Sequence, residues 1–472
     1  MLADIHIDNL LSIAGPKGAT LDASVIAPHL REWRNKFEGQ TSLMLMPSDT
    51  TTAAKLITYC HEHHIPVVPQ GGNTGLVGGG IPGLDGRSEV LFSTRRMTDH
   101  CIVNAEDFSI TASAGSTVAA LQAAASERGL LFPLSLASEG SCTVGGVVST
   151  NAGGIHVLRY GTTRALTLGV EAVLPTGAVV DELTALRKNN TGYNLSQLLV
   201  GAEGTLGIVT KATFKLYPQE IQKHTCFLAV ESPQKALALM ASARRATGDR
   251  VSAFELIPRM GLDFVLQHIP GTSDPLGGSY PWYVLTEIAT SKPDNALEAE
   301  VLSWLEAELA AGTILDGAVA SSLQQAQDFW KLRESMSEAQ KLEGGSIKHD
   351  IAVPVSRVPA FLERATSAVQ NFNPDARLVA FGHLGDGNIH FNVMQPSGSD
   401  KAAFLASWEE MSTLVHDIVM EFGGSISAEH GIGTLKKDEL SRLKSASQLA
   451  AMKAIKAALD PHNIMNPGCL FT

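Results

Sequence analysis

The chain has 472 residues, of which 44% are hydrophobic and 18% charged, with a formal net charge of −12. A chain this long exceeds one hydrophobic core and calls for two or three domains, while the acidic balance excludes a nucleic-acid partner and a basic face for anionic lipid. The five cysteines (60, 101, 142, 226 and 469) are scattered and form no C-x-x-C, which excludes a disulfide framework and an iron–sulfur site and points to a reducing compartment.

The chain opens on Met-Leu-Ala-Asp-Ile-His-Ile-Asp, and its first cation is Lys17. That is neither a secretory nor an Arg-rich transit segment. With no apolar run of about 18 residues to span a membrane, the expectation is a cytoplasmic protein. Residues 1–40 read as a helical lead-in, 51–64 as a helix and 65–69 as a strand. The strand runs into Gln70-Gly-Gly-Asn-Thr-Gly-Leu-Val-Gly-Gly-Gly80, six glycines in eleven residues. Such a loop bares backbone N–H groups and tolerates positive φ, as a phosphate cradle does. It is not a Walker A loop, and Pro82 with turn residues follows where a dinucleotide fingerprint needs a helix; a plain surface loop is the alternative.

Short strands at 88–93, 101–104 and 108–113 precede a helix that starts at Ser116 and stops at Gly129. The stretch 133–154, Pro-Leu-Ser-Leu-Ala-Ser-Glu-Gly-Ser-Cys-Thr-Val-Gly-Gly-Val-Val-Ser-Thr-Asn-Ala-Gly-Gly, is nearly uncharged and reads as an irregular loop lining a flat, buried ligand. Arg159-Tyr-Gly161 closes a turn, 168–174 is a strand, a short helix ends at Val200, and Gly201-Ala-Glu-Gly-Thr-Leu-Gly-Ile-Val209 enters the strand 212–217.

Four pieces in order over about 140 residues (Gly-Gly-Asn-Thr-Gly, Ser-Thr-Asn-Ala-Gly-Gly, Arg-Tyr-Gly and Glu-Gly-Thr-Leu-Gly-Ile) resemble the FAD-binding domain of the vanillyl-alcohol oxidase type of flavoprotein. The resemblance implies non-covalent FAD, because flavin-linking members carry a His in the first loop where this chain has Gln70-Gly-Gly-Asn-Thr. It further implies a lining of Gln70, Gly71, Gly72, Asn73, Thr74, Gly75 and Leu76 from the first loop. The second contributes Pro133, Ser138, Gly140, Ser141, Thr143, Gly145, Gly146, Ser149, Thr150, Ala152 and Gly153, and Tyr160, Glu203, Gly207, Ile208 and Asn466 complete it.

After Pro218 glycine thins out and amphipathic helices alternate with strands: strands 224–230, 251–257, 281–288 and 346–353, helices 233–247, 294–311, 321–340 and 357–371, then a hairpin 377–394. This reads as an α+β cap domain with helices over one antiparallel sheet. In Phe381-Gly-His-Leu-Gly-Asp-Gly-Asn-Ile-His-Phe-Asn392, Asp386-Gly387 is the expected two-residue loop. That register sets His383 opposite His390, with Cβ atoms about 4.5–5.5 Å apart and Asn392 on the same face. The set suits a metal, or equally two surface or hydrogen-bonded histidines. Glu429 would complete a two-His, one-carboxylate ligand set with open positions, and His430 beside it would serve as base; alternatively the two only head the loop before a helix near Thr434. Arg333 suits a carboxylate. Lys348 lies on an alternating strand, on the same face as Asp350, where surface pairing is the alternative. Helices at 400–421 and 435–459 close the chain. The domains are therefore 1–40, a helical lead-in; 41–218, the FAD-binding domain; 219–425, the substrate cap; and 426–472, a segment returning to the flavin.

Within the flavoprotein group the chain resembles the D-2-hydroxyglutarate dehydrogenases over nearly all residues after 40. Leu186-Arg-Lys-Asn-Asn-Thr-Gly-Tyr193, Leu332-Arg-Glu334, Lys348-His-Asp350, the His383/His390 motif and Glu429-His430 carry the likeness. It implies zinc or another divalent metal on His383, His390 and Glu429. It places Arg333 on the substrate's C1 carboxylate with Ser337 and Asn392, Lys348 on the distal carboxylate, and His430 against the substrate as proton acceptor. Ser337 departs from the pattern, where Thr is expected. The resemblance also implies an electron-transfer flavoprotein or quinone-linked acceptor and a homodimer. D-lactate and glycolate dehydrogenases share the metal motif without the lysine and are the enzymatic alternative; a non-catalytic flavin-binding subunit is the alternative of another class.

Overall fold

The computed structural model describes residues 2–471, which form two units. The first comprises residues up to Gly154, Gly161–Gln219 and the chain from Glu429 on; the second comprises Ile155–Tyr160 and Glu220–Ala428.

In the first unit, Met44–Leu45 and Val67–Gln70 flank Val90–Ser93 in parallel, and Ala19–Thr20 adds an antiparallel edge. The parallel runs are mostly apolar, with Gln70 and Ser93 at their ends, because parallel strands are covered on both faces. The connecting helix Thr50–Glu62 starts where Asp49 accepts the Thr52 N–H. Its Ala53, Leu56, Ile57 and Cys60 form one stripe that packs with Val67 and Phe92, as the 3.6-residue period requires. A second sheet is antiparallel, in the order Cys101–Asn104, Ser109–Ser113, Ile208–Lys215, Thr167–Val173, Val179–Asp181. The final segment returns to the first sheet: the Val67 N–H donates to Ile464 O at 2.7 Å, and the Asn466 N–H to Val67 O at 2.8 Å.

The stretch 133–154 is not irregular throughout, contrary to the expectation from its glycines. Val144–Thr150 is a helix. Glycine in a helix costs about 0.5–1 kcal/mol, but here it permits contact that no other residue would allow. The Gly145 N–H donates to Ala114 O at 2.8 Å, and a Cβ at 145 would sit 3.0 Å from the Ala114 Cβ. Val144, Val147 and Val148 are buried by that approach. The helix expected over 435–459 is two helices, Lys437–Leu443 and Ala446–Leu459, the second restarted by a Ser445/Gln448 capping box.

The second unit is built on a seven-stranded antiparallel sheet. Its order is Asp316–Val319, Gln222–Val230, Trp282–Thr290, Val251–Pro258, Arg377–His383, Asn388–Met394, Ser346–Ala352. Helices cover both faces. Arg259–His268, Leu323–Glu334 and Met336–Leu342 pack on Phe227, Tyr283, Val379 and Phe381. Val358–Phe372 and Trp408–Glu421 pack on the other face, where Phe361 meets Phe391 and His416 meets His349. The helix Arg259–His268 and the edge strand Asp316–Val319 were not expected; the helix carries an amphipathic stripe, with Gly261, Leu262, Phe264 and Val265 buried, that the sequence reading missed. The helix expected over 321–340 is broken at Ser335, and that over 400–421 between Leu405 and Trp408. Among the described residues no helix is long and apolar enough to cross a membrane.

Candidate active site

In the first unit the two glycine-rich stretches lie against each other. A Cβ at Gly72 would stand 2.1 Å from Ser141 O, and one at Gly71 would stand 2.4 Å from Thr143 Oγ1. Among the described residues, the N–H groups of 71–80 donate to no protein acceptor, and the buried Thr143 hydroxyl has no partner. A row of bare N–H groups beside an orphan hydroxyl is what a pyrophosphate satisfies, so these residues fit the phosphates of FAD.

Several polar side chains expected at the flavin are occupied in shaping the loops. Gln70 donates to His29 O and Gly80 O at 2.9 and 2.8 Å, and Asn73 donates to Arg31 O at 2.9 Å. Thr150 donates to Gly146 O at 3.0 Å, and Asn466 bridges Gly79 O and Glu203 O at 2.9 and 2.8 Å. Glu203, at φ 51°, accepts the N–H groups of Ile432 and Gly433 at 2.8 and 2.7 Å. It thereby clamps the loop that carries Glu429 and His430, whose Oε1 and Nε2 stand 3.5 Å apart. Burial pushes the Glu203 carboxyl up, and those N–H bonds oppose it. Gly207 and Ile208 lead into the strand Ile208–Lys215. Leu76, Thr74, Ser149 and Ala152 are half-buried, Pro133 and Gly153 buried, and Gly75, Gly140 and Ser141 exposed, with Ser138 half-buried beside them. Tyr160 falls in the second unit, where its hydroxyl donates to Glu220 at 2.7 Å.

In the second unit the hairpin register differs from the expectation. His383 pairs with Asn388, and His390 pairs with Phe381. The loop is 384–387, because the Asp386 and Gly387 N–H groups both turn back to His383 O, at 3.2 and 3.1 Å. Leu384 is buried, and the Gly385 N–H bonds to Phe254 O at 3.3 Å. The shift is an even number of residues along one strand, so side-chain parity survives. Three cross-strand rows therefore share one face: Glu255, His383 and Asn388; Phe381, His390 and Asp350; Val379, Asn392 and Lys348. The His383 and His390 rings are 5.9 Å apart, centroid to centroid.

Arg333, in the last turn of Leu323–Glu334, lies over this face with its guanidinium carbon 4.7 Å from the Phe381 ring centroid. Its Nε donates to Glu255 Oε2 at 2.7 Å, and Glu255 Oε1 meets His383 Nδ1 at 2.5 Å. Burial raises the Glu255 carboxyl, but the His383 and Arg333 charges outweigh it and bring it down to about 2. Asn392 donates to Gln340 Oε1 at 2.9 Å. Ser337 is half-buried in the first turn of Met336–Leu342, and Lys348 is half-buried. Asp350 is not a surface partner: it is buried and accepts from Asn388 Nδ2 at 3.0 Å. The reason is that helices cover both faces of this sheet, so the face holding Lys348 and Asp350 is not a solvent face. Thus His383, His390, Asn392, Lys348 and Arg333 meet in one unit, and Glu429 and His430 belong to the other. Glu255 and Gln340 were missed. Glu255 carried a signal, being the single charge in the buried strand Val251–Pro258; Gln340 carried none.

Comparison with known proteins agrees with this architecture. Residues 41–182 match the FAD binding domain, and 221–470 match the C-terminal domain of FAD linked oxidases. Two solved structures share the fold: p-cresol methylhydroxylase (TM-score 0.75, 14% identity, 99% of this chain and 97% of that one) and alkyldihydroxyacetonephosphate synthase (TM-score 0.74, 17% identity, 99% and 85%). The chain belongs to the FAD-linked oxidases, flavoproteins of the vanillyl-alcohol oxidase type. Within them it belongs to the D-2-hydroxyglutarate dehydrogenase family. It is 36% identical to the D-2-hydroxyglutarate dehydrogenase of Xanthomonas citri pv. viticola, covering 93% of this chain and 91% of the relative. It is 37% identical to the mitochondrial enzyme of Bos taurus (96% and 81%), and 36% identical to the probable mitochondrial enzyme of Oryza sativa subsp. indica (97% and 80%).

Proposed function

We propose that the protein is an FAD- and divalent-metal-dependent dehydrogenase that oxidises D-2-hydroxyglutarate to 2-oxoglutarate. The observation that carries this reading is the single sheet face in the second unit bearing Lys348, His383, His390 and Asn392, with Arg333 over it. A five-carbon 2-hydroxy diacid presents two carboxylates and one hydroxyl, and this face offers two cations with two imidazoles. Arg333 takes the C1 carboxylate with help from Ser337 and Asn392. Lys348 takes the distal one, a charge-assisted contact worth about 1.5–3 kcal/mol.

FAD supplies the hydride acceptor at N5. His383, His390 and Glu429 would hold a zinc-type ion, which when bound would supply Lewis acidity. His430 takes the hydroxyl proton, and its neighbour Glu429 keeps it beside the ligand set. The bare N–H groups of the first glycine loop and the Thr143 hydroxyl hold the FAD phosphates. Glu203 acts on the chemistry indirectly, by fixing the loop that bears Glu429 and His430.

The first glycine loop is followed by Pro82 and a short 3₁₀ turn rather than a helix, which fits an electron-transfer flavoprotein or quinone-linked acceptor better than NAD. Five unpaired thiols fit a reducing compartment such as the cytoplasm. The family resemblance extends to a homodimer. The test of the substrate is a panel of D-2-hydroxyglutarate, L-2-hydroxyglutarate, D-lactate and glycolate with an artificial acceptor. The expected order puts D-2-hydroxyglutarate at least tenfold ahead in kcat/KM; equal or better turnover of D-lactate or glycolate contradicts the dicarboxylate assignment.

A further inference from the structure

We infer that Glu255 is the positioning residue that holds the carboxylate-binding arginine and the metal-binding histidine at a fixed separation, an inference that rests on the function proposed above. Glu255 is 0% exposed, in a strand buried along its whole length. A carboxylate is kept in such a place only when both oxygens are engaged, and here they are divided between two groups of the site. Oε1 meets His383 Nδ1 at 2.5 Å, and Oε2 accepts from Arg333 Nε at 2.7 Å.

Each contact has a consequence. With Nδ1 committed as donor to the carboxylate, His383 has only Nε2 for a metal, and its ring orientation and basicity are set by that partner. With Nε committed, Arg333 keeps its two Nη nitrogens for an anion, while the Phe381 ring beneath its guanidinium carbon fixes the plane. A 2-hydroxy acid carries its carboxylate and its hydroxyl on adjacent carbons. The anion site and the metal site must therefore stand at one distance, held to a fraction of an ångström. One buried carboxylate gripping both sets that distance. Gln340 performs a lesser version of the same task on Asn392, at 2.9 Å.

The test is Glu255→Gln in the FAD-loaded enzyme. Glutamine keeps the shape, but its single oxygen cannot accept from both partners. Two readouts go beyond activity at saturation. The first is the zinc affinity of metal-stripped protein, measured by chelator competition; the second is the split between KM and kcat for D-2-hydroxyglutarate. Zinc affinity is expected to fall about 10–100-fold. Excess zinc is expected to restore kcat while KM stays raised, because Arg333 is no longer held; FAD content stays at the wild-type level. Wild-type zinc affinity together with wild-type KM overturns the role. Should Glu255→Gln fail to fold, Glu255→Asp, one methylene shorter, is measured in the same way, with smaller losses in the same two quantities expected and wild-type values again overturning it. A wild-type enzyme that neither binds zinc nor reduces its flavin with D-2-hydroxyglutarate removes the functional reading and this role with it. A wild-type enzyme that does both, with an unaltered Glu255→Gln variant, removes the role of Glu255 alone.

Discussion

In the proposed site, Lys348 is the residue on which the length of the substrate turns. It is half-buried, on the same face as His390 and Asn392, where a carboxylate contact is screened less than at an open surface. Lys348→Ala is expected to lower kcat/KM for D-2-hydroxyglutarate about 10–100-fold, mostly through KM, and to leave D-lactate turnover within about twofold. Steady-state kinetics on both substrates checks this, and an equal loss on both acids would mean that the lysine supports the fold instead. At this scale much of the site was legible. Alternation puts Lys348 with Asp350 on one strand and His390 with Asn392 on another, whereas the pairing that joins the two sets on one face is a tertiary fact. Glu255 stands out as the single charge in an apolar strand, but its role was not legible, because it depends on Arg333 and His383, 78 and 128 residues away. The alternative of a surface pair between Lys348 and Asp350 falls because Asp350 is buried; strand alternation does not say that helices cover both faces of the sheet.

Among the elements, the helix Val144–Thr150 departs furthest from what its composition implies. Gly145 lets its backbone approach Ala114, so that a Cβ there would stand 3.0 Å from the Ala114 Cβ, and a larger side chain must push its neighbours aside. Gly145→Val is expected to destabilise the first unit by about 1–3 kcal/mol and to weaken FAD retention. Thermal unfolding and the flavin content after desalting measure both, and a variant that retains FAD and midpoint alike would show that the approach is looser than described. The hairpin gives the complementary lesson. Asp-Gly correctly marks a turn between two strands, but the loop length was set by Leu384, which is buried, and by the bond of Gly385 to Phe254. Such tertiary contacts lie outside the dipeptide. The breaks at Ser335 and between the last two helices likewise fall where neither Gly nor Pro announces them.

For the whole molecule, carboxylates in both units tie stability to pH. Glu171 in the first unit is raised by burial, but hydrogen bonds from Thr50, Thr210 and Lys211 outweigh this and hold it below its ordinary 4.5. In the second unit, burial raises Glu220 while Lys223 and Tyr160 pull it down further, and bonds from His268 and Arg377 lower Glu343. A carboxyl held below its ordinary value contributes stability that is present above about pH 4.5 and is lost as pH falls below it. Glu89, raised by burial, contributes with the opposite sign and offsets part of this. The unfolding midpoint is expected to drop as pH is lowered from about 6 to 3. Glu343→Gln is expected to be less stable than wild type at pH 6, with the difference closing in acid; a difference that does not change with pH would contradict the pairing.

The central claim is that a metal and a flavin act together on D-2-hydroxyglutarate, and anaerobic flavin reduction tests it most directly. Holoenzyme is mixed with D-2-hydroxyglutarate without oxygen, and loss of the oxidised flavin absorbance is followed before chelation, after chelation and after zinc is returned. The expected result is rapid bleaching, slowed on the order of a hundredfold or more when the metal is removed and recovered with zinc. Bleaching at an unchanged rate in fully metal-free enzyme, or no bleaching by D-2-hydroxyglutarate in the metal-loaded enzyme, would contradict it.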